Sequence, residues 1–245
     1  MSGLLRRPKY YFNNKHNYSD GDVIIKVDSI LFKVHRNILS LASTTFSDMF
    51  TNAISYNQSI PEITLENESE TNFENLLSFI YPKDYIAIDW DNVEEMFRIS
   101  HKFTINSVFT AAKVFLTNKF EENPLLALYL SEKYEFKELF KEASKLVLNN
   151  FYVHKKSPLF TKLSINTKLA LIEMHHDYLT VLFLKSDEPK NGVGYNKVIE
   201  LLNEDPSEAF KLFTSSEFTL NGKFTNKFRS MKDITLNQLF IELNK

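Results

Sequence analysis

The sequence predicts an α+β fold: a small β-sheet flanked by helical hairpins, with an all-α C-terminal extension. Three observations predict it. Residues 22–50 change hydrophobic period once, from two to about 3.6. Beyond residue 70 the apolar residues keep helical spacing. A stretch starting at Ser100 recurs, without gaps, from Ser131.

In DVIIKVDSILFKV, Val23, Ile25 and Val27 share one strand face, with Asp22, Lys26 and Asp28 on the other. Ile30, Phe32 and Val34 resume the alternation after Asp28-Ser29. Asp suits such a turn, because its side chain bonds nearby backbone and it tolerates positive φ. At His35 the period becomes helical: Ile38, Leu39, Leu41 and Ala42, then Phe46, Met49 and Phe50. Ser43-Thr44-Thr45 lies between the two runs and supplies a second N-cap.

The 245 residues hold one large domain or two small ones, and 43% hydrophobic content is enough for a core. A net charge of −2 gives no global pull toward nucleic acid. With no cysteine there is no disulfide, thiolate metal site or cysteine nucleophile. MSGLLRRPKYYF has too short an apolar run for a signal peptide, and no apolar stretch approaches the ~20 residues that span a bilayer. The expected location is intracellular, cytoplasm or nucleus. The triplets at Asn17, Asn57 and Asn67 that match the glycosylation acceptor pattern are then ordinary loop residues.

Residues 1–18 are a polar, aromatic arm leading into the hairpin. Ile63 and Leu65 alternate with Glu62 and Thr64 behind Pro61, which suits an entering or edge strand. Thr71 and Glu74 form a capping box ahead of Phe73, Leu76, Leu77 and Ile80, and Tyr81-Pro82 closes that helix. Asp91 to Glu94 starts a helix carrying Val93, Met96 and Phe97; a turn at residues 101–103 leads to another carrying Val108, Ala112 and Leu116. The repeat pairs Ser100 with Ser131, Ala112 with Ala143, Asn118 with Asn149 and Phe120 with Phe151. It predicts a second helical hairpin, too short a series for a solenoid. Leu163, Leu169 and Ile172 continue as helix, with Asn166 a candidate cap. Residues 186–196 form the best linker, and the remainder is mostly helical, with a hairpin signal at Asn221-Gly222.

No catalytic constellation is present. Gly192-Val-Gly194 lacks a third glycine and a preceding strand, and no G-x-S-x-G elbow exists. Glu173, His175 and His176 suggest a metal, but adjacent helical side chains point about 100° apart. Those histidines are expected at a surface or interface. Acid pairs such as Glu94-Glu95 favour helix starts. No enzyme activity, cofactor or metal is expected.

The residues Asp22, Val23, Ile25, Val27, Asp28, Phe32, Val34, His35, Arg36, Ile38, Leu39, Ser43, Phe46, Met49 and Phe50, at their spacing here, resemble the signature of the BTB/POZ domain. The order of hairpins is similar to fungal BTB domain-containing proteins. The resemblance implies the BTB/POZ fold over residues 19–120, a helical extension over 121–185 with the repeated hairpin, and a linker and C-terminal region over 186–245. It also implies a non-enzymatic module that self-associates as a homodimer and scaffolds other proteins. In BTB domains of transcriptional repressors an Asp and an Arg spaced like Asp22 and Arg36 line a charged pocket at the dimer interface. His35 resembles the residue that locks strand to helix. BTB adaptors of cullin ubiquitin ligases carry a hydrophobic residue, any residue, then Glu after Met49-Phe50. Here that motif is Ile54-Ser55-Tyr56, and a phenol cannot replace the carboxylate. The protein-binding set is therefore Asp22, His35, Arg36, Met49, Phe50, Ile54 and Tyr56. The alternative functions are a cullin-ligase substrate adaptor and a transcriptional co-regulator. No direct nucleic-acid or membrane contact is expected.

Overall fold

The alternation at residues 23–34 becomes an antiparallel hairpin of β2 (Val23–Val27) and β3 (Ile30–Val34), pairing Val23 with Val34 and Ile25 with Phe32. Asp28 takes the turn at φ 50°. This is a computed structural model, and it describes residues 9–52, 60–83, 85–185 and 240–243, side chains of 177–185 excepted. β4 (Glu62–Leu65) runs parallel to β2, and Ile24 N donates to Pro61 O at 3.0 Å where the chain enters that edge. Residues read as an arm form a further strand, β1 (Tyr11–Asn17), parallel to β3. The sheet order is β1-β3-β2-β4. β1 escaped the sequence reading because only His16 along it is buried, so there is no alternation to see. Asn13 Oδ1 accepts from Lys15 N and His16 N, both at 2.9 Å, and the register to β3 breaks between Phe12 and Asn17.

Helices α1 (Arg36–Ala42), α2 (Thr44–Asn52), α3 (Glu70–Ile80), α4 (Val93–Lys102) and α5 (Asn106–Lys119) complete the first part. The Ser43 hydroxyl accepts from Phe46 N at 3.0 Å and donates to Phe103 O, so it caps α2 and ties it to the end of α4. The predicted capping box is displaced. Ser69 is the N-cap of α3, accepting from Asn72 N at 3.1 Å. Glu74 turns away to Lys15 and Asn13. At α4 the capping carboxylate is Asp89, which accepts from Asp91 N and Asn92 N. The core is aromatic: Phe46 stacks on Phe103 at 4.8 Å, and Phe73 meets Phe32 edge-on at 5.0 Å.

The chain divides into two compact units, Met1–Asn118 and Lys119–Lys245. The second holds α6 (Pro124–Lys133), α7 (Lys137–Asn149), α8 (Phe151–Lys155), a 3₁₀ turn (Pro158–Lys162) and α9 (Ile165–Lys185). The sequence repeat is a repeat of backbone. Ile105 N donates to Ser100 O, and Phe136 N to Ser131 O, each at 2.8 Å. Thr104 and Glu135 take the left-handed position, at φ 53° and 57°. Each helix thus ends in a Schellman closure with an apolar residue after it. The cap of α9 is Ser164, not Asn166: its hydroxyl accepts from Thr167 N at 3.2 Å. The carboxylate of Glu132 joins the end of α6 to this cap through Ser164 N and the Thr167 hydroxyl. The 186–196 linker, the helical reading from Val198 and the Asn221-Gly222 hairpin lie outside the described residues.

His175 is buried within its own unit, which corrects its expected place at a surface or interface. It stacks on Phe151 at 4.5 Å and meets Tyr152 edge-on at 5.1 Å. Among the described residues no group of three or more His, Asp or Glu is placed to hold a metal ion.

Candidate protein-interaction site

Asp22 belongs to the hairpin through its backbone, its N–H bonding Val34 O at 2.9 Å. Its carboxylate reaches α1. Oδ1 accepts from Arg36 N at 2.8 Å and Oδ2 from Arg36 Nε at 3.0 Å. The side chain of His35, the residue preceding α1, makes no capping bond, so Asp22 supplies from a distance the anion that the helix start favours. Burial pushes the Asp22 carboxyl up, but the Arg36 N–H and guanidinium outweigh this and hold it below the ordinary value. The two side chains are 48% and 45% exposed. The pair is therefore a surface clip, worth up to ~1 kcal/mol, and no buried charge is stranded if it is split.

His35 sits one residue earlier, half-buried. Its backbone N donates to Tyr81 Oη at 3.0 Å, its Nδ1 lies 3.2 Å from the same oxygen, and its Nε2 lies 3.2 Å from Asp20 Oδ1. Burial pushes the Tyr81 hydroxyl up to about 12, so it stays protonated. Tyr18 stacks on Tyr81 at 4.8 Å, and His16 joins Tyr18 and Ser78 through its two ring nitrogens. β1, the β3–α1 junction and the end of α3 are thus clasped by one cluster of rings. Tyr81→Phe strands the His35 N–H and should cost about 1–2 kcal/mol. A thermal melt should show this as a lower midpoint with the secondary structure unchanged; an unshifted midpoint would rule the clasp out.

A second feature is an open groove of about 580 Å³ between α2 and β4, lined by Thr45, Asp48, Met49, Asn52, Glu62 and Ile63. Asp48 and Glu62 bring acid, while Met49 and Ile63 bring apolar surface. Thioethers adapt to irregular partners, which suits such a surface. Phe50 is turned inward against Phe46 at 6.0 Å and seats α2 rather than facing outward. Ile54 and Tyr56 lie outside the described residues.

The hairpin thus brings Asp22, His35 and Arg36 together, while Met49 lies in the groove. Leu41, absent from the sequence-derived set, is 89% exposed on α1. The helical run Ile38, Leu39, Leu41 and Ala42 includes it, but it sits about 200° around the helix from buried Leu39. A helical projection alone would have found it.

This sheet, with its flanking helices, matches the BTB/POZ domain family over residues 12–120. Residues 12–120 are a BTB/POZ domain. The BTB/POZ domain is a protein-interaction module. The chain is 30% identical over 110 residues to Kelch-like protein 41a of Danio rerio, covering 44% of this chain and 18% of that protein. It is 28% identical over 152 residues to Kelch-like protein 40 of Xenopus tropicalis, covering 62% and 24%. That second similarity is longer than the BTB/POZ match and takes in residues outside it. The chain spans about a quarter or less of the length of these relatives. In shape, the BTB domain of human Gigaxonin is similar over 39% of this chain and 76% of that one, at 22% identity and a TM-score of 0.33.

Proposed function

We propose that the chain is a non-enzymatic scaffold whose BTB/POZ domain self-associates, most simply as a homodimer. Leu41 carries this reading: a large apolar side chain left 89% exposed on the same short helix as the Asp22–Arg36 clip. Leu41 supplies the apolar contact, and Asp22 and Arg36 line the charged rim beside it. A stable interface needs about 1,000 Å² or more, so the hairpin face takes part as well. Light scattering should give twice the chain mass for the native protein and a monomer for Leu41→Glu. A twofold interface counts the substitution twice, so dissociation should rise by about 100-fold or more. At concentrations low enough that both chains are monomers the melting midpoint should be the same, since Leu41 packs against little. A native chain that stays monomeric at high concentration ends the dimer reading.

The α2–β4 groove favours a second reading, a substrate adaptor of a cullin-type ubiquitin ligase. Asn52, which lines the groove, directly precedes in sequence the stretch that carries Ile54 and Tyr56. Its acid-rimmed apolar floor suits a helix presenting basic and aliphatic side chains. Tyr56 in place of Glu predicts weak capture. A pull-down with a cullin N-terminal region should retain at most a weak band that Met49→Lys removes. A strong band indifferent to Met49→Lys would exclude the groove. A co-regulator of transcription is the third reading, with indirect DNA contact only, since the net charge is −2.

A further inference from the structure

The repeat makes α5 and α7 equivalent helices, yet their outer faces differ. Lys141, Ser144 and Lys145 on α7 stand where α5 has Thr110, Lys113 and Val114. On α5, Lys113 and Val114 are exposed. On α7, Ser144 is fully buried. A segment from far along the chain meets it there. Ile241 N donates to Ser144 Oγ at 3.0 Å, while that hydroxyl donates to Lys141 O at 2.7 Å. Ser144 therefore both accepts and donates. The Phe240 ring lies under Lys141 Nζ at 4.0 Å, with Lys145 Nζ at 5.9 Å. Ile241 is buried, Glu242 exposed and Leu243 half-buried, the alternation of an extended segment laid on a surface.

We propose that the outer face of α7 is a peptide-docking site for an extended segment bearing an aromatic–isoleucine pair, filled here by the chain's own Phe240–Ile241. The second polypeptide it takes carries the same pair. Three features read that pair. The Ser144 hydroxyl accepts the isoleucine N–H and fixes the register, the branched side chain is buried, and the two ammonium groups take the aromatic face. α5 has a lysine in the place of the serine and neither of the two flanking lysines, which makes this a property of the second copy and not of the repeat. The grip consists of one hydrogen bond, one buried side chain and partly exposed cation–π contact, set against the ordering of four residues. Such a grip depends on the segment being on the same chain, where effective concentration supports it. A competing polypeptide with further contacts therefore displaces it. The site belongs to the second unit, and the proposal does not rest on the dimer reading.

The test uses a fluorescein-labelled peptide of residues 236–245, LNQLFIELNK, titrated by anisotropy against the full chain. The native chain, its site filled, should bind weakly. Ile241→Lys, repelled by Lys141 and Lys145, should empty the site and bind the peptide at least tenfold more tightly. Adding Ser144→Ala to that variant should reverse most of the gain, and a peptide carrying Ile241→Lys should fail to bind it. Phe240→Ala, which alters only a half-buried ring, provides a folded alternative and should bind at least threefold more tightly than the native chain. Equal binding by native chain and both variants, or binding by none of them, overturns the proposal.

Discussion

Glu68→Ala is expected to lower the stability of the first unit by about 3 kcal/mol, a fall of 10 °C or more in its melting midpoint. The Glu68 carboxylate is completely buried. Oε1 accepts from Arg98 Nη1 at 3.1 Å and Lys102 Nζ at 2.6 Å, and Oε2 accepts from Arg98 Nη2 at 2.6 Å. Arg98 also holds Glu95, which takes the amide of Asn72 at 2.8 Å. The entry to α3 is therefore fixed to α4 by one anion serving two cations. Burial pushes the Glu68 carboxyl up, but the bonds from Arg98 and Lys102 outweigh it and hold it below the ordinary value. The cations remain 32% and 42% exposed, so on losing their partner they regain water. That places the expected cost near the lower end of the range for a broken buried pair. A carboxyl lowered on folding stabilises above its unfolded value, near pH 4, and that contribution fades as pH falls through the folded value. Glu68→Gln should keep the shape and lose about half as much. Melting curves of both variants decide the matter, and a shift under about 2 °C for Glu68→Ala would show the anion to be dispensable.

Acid is expected to loosen the second unit well above the pH at which carboxylates titrate. Burial, helped by the charges of Lys155 and His176, holds His175 down to about 4. A histidine lowered on folding binds fewer protons than in the unfolded chain between about pH 6.5 and 4. The stability it permits is intact above pH 6.5 and declines through that window, by about 3 kcal/mol in all. Burial lowers His154 as well, in the same sense. His175→Phe keeps a ring between Phe151 and Tyr152 while removing the proton site. Hydrogen exchange of α8 and α9 between pH 7 and 4.5, corrected for intrinsic rates, should show protection lost in the native protein and kept in His175→Phe. Equal loss in both would exclude His175 as the cause.

What could be seen in advance was whatever has a period. Residues 23–50 alternate and then turn helical, and they fold that way because one apolar face must be buried at each step. The repeat from Ser100 was legible because each copy must bury the same serine and close on the same left-handed turn. What escaped was decided by partners distant in sequence. β1 has no apolar face, and its place depends on His16 reaching Ser78. Glu68 sits in what looked like an acceptor triplet; Asn67 at φ 59° and Ser69 capping α3 turn that triplet into a helix entry. In the candidate site, the fourteen-residue spacing of Asp22 and Arg36 was readable, but their exposure was not. Phe50 matched the family signature and faces the core, whereas Leu41 carried no signature and faces outward.

The register break in β1, where Asn13 Oδ1 takes two backbone N–H groups, has a consequence for assembly. A straight outer strand with its amides and carbonyls in regular order invites a neighbour, then another, and growth has no natural end. Here the side-chain amide oxygen is already bonded to the next two backbone N–H groups but one, at Lys15 and His16, and asparagines and a lysine line that border. The sheet rim is thereby blunted against fibre-like stacking. In the association proposed through α1, a face that meets its own copy about a twofold axis closes at two.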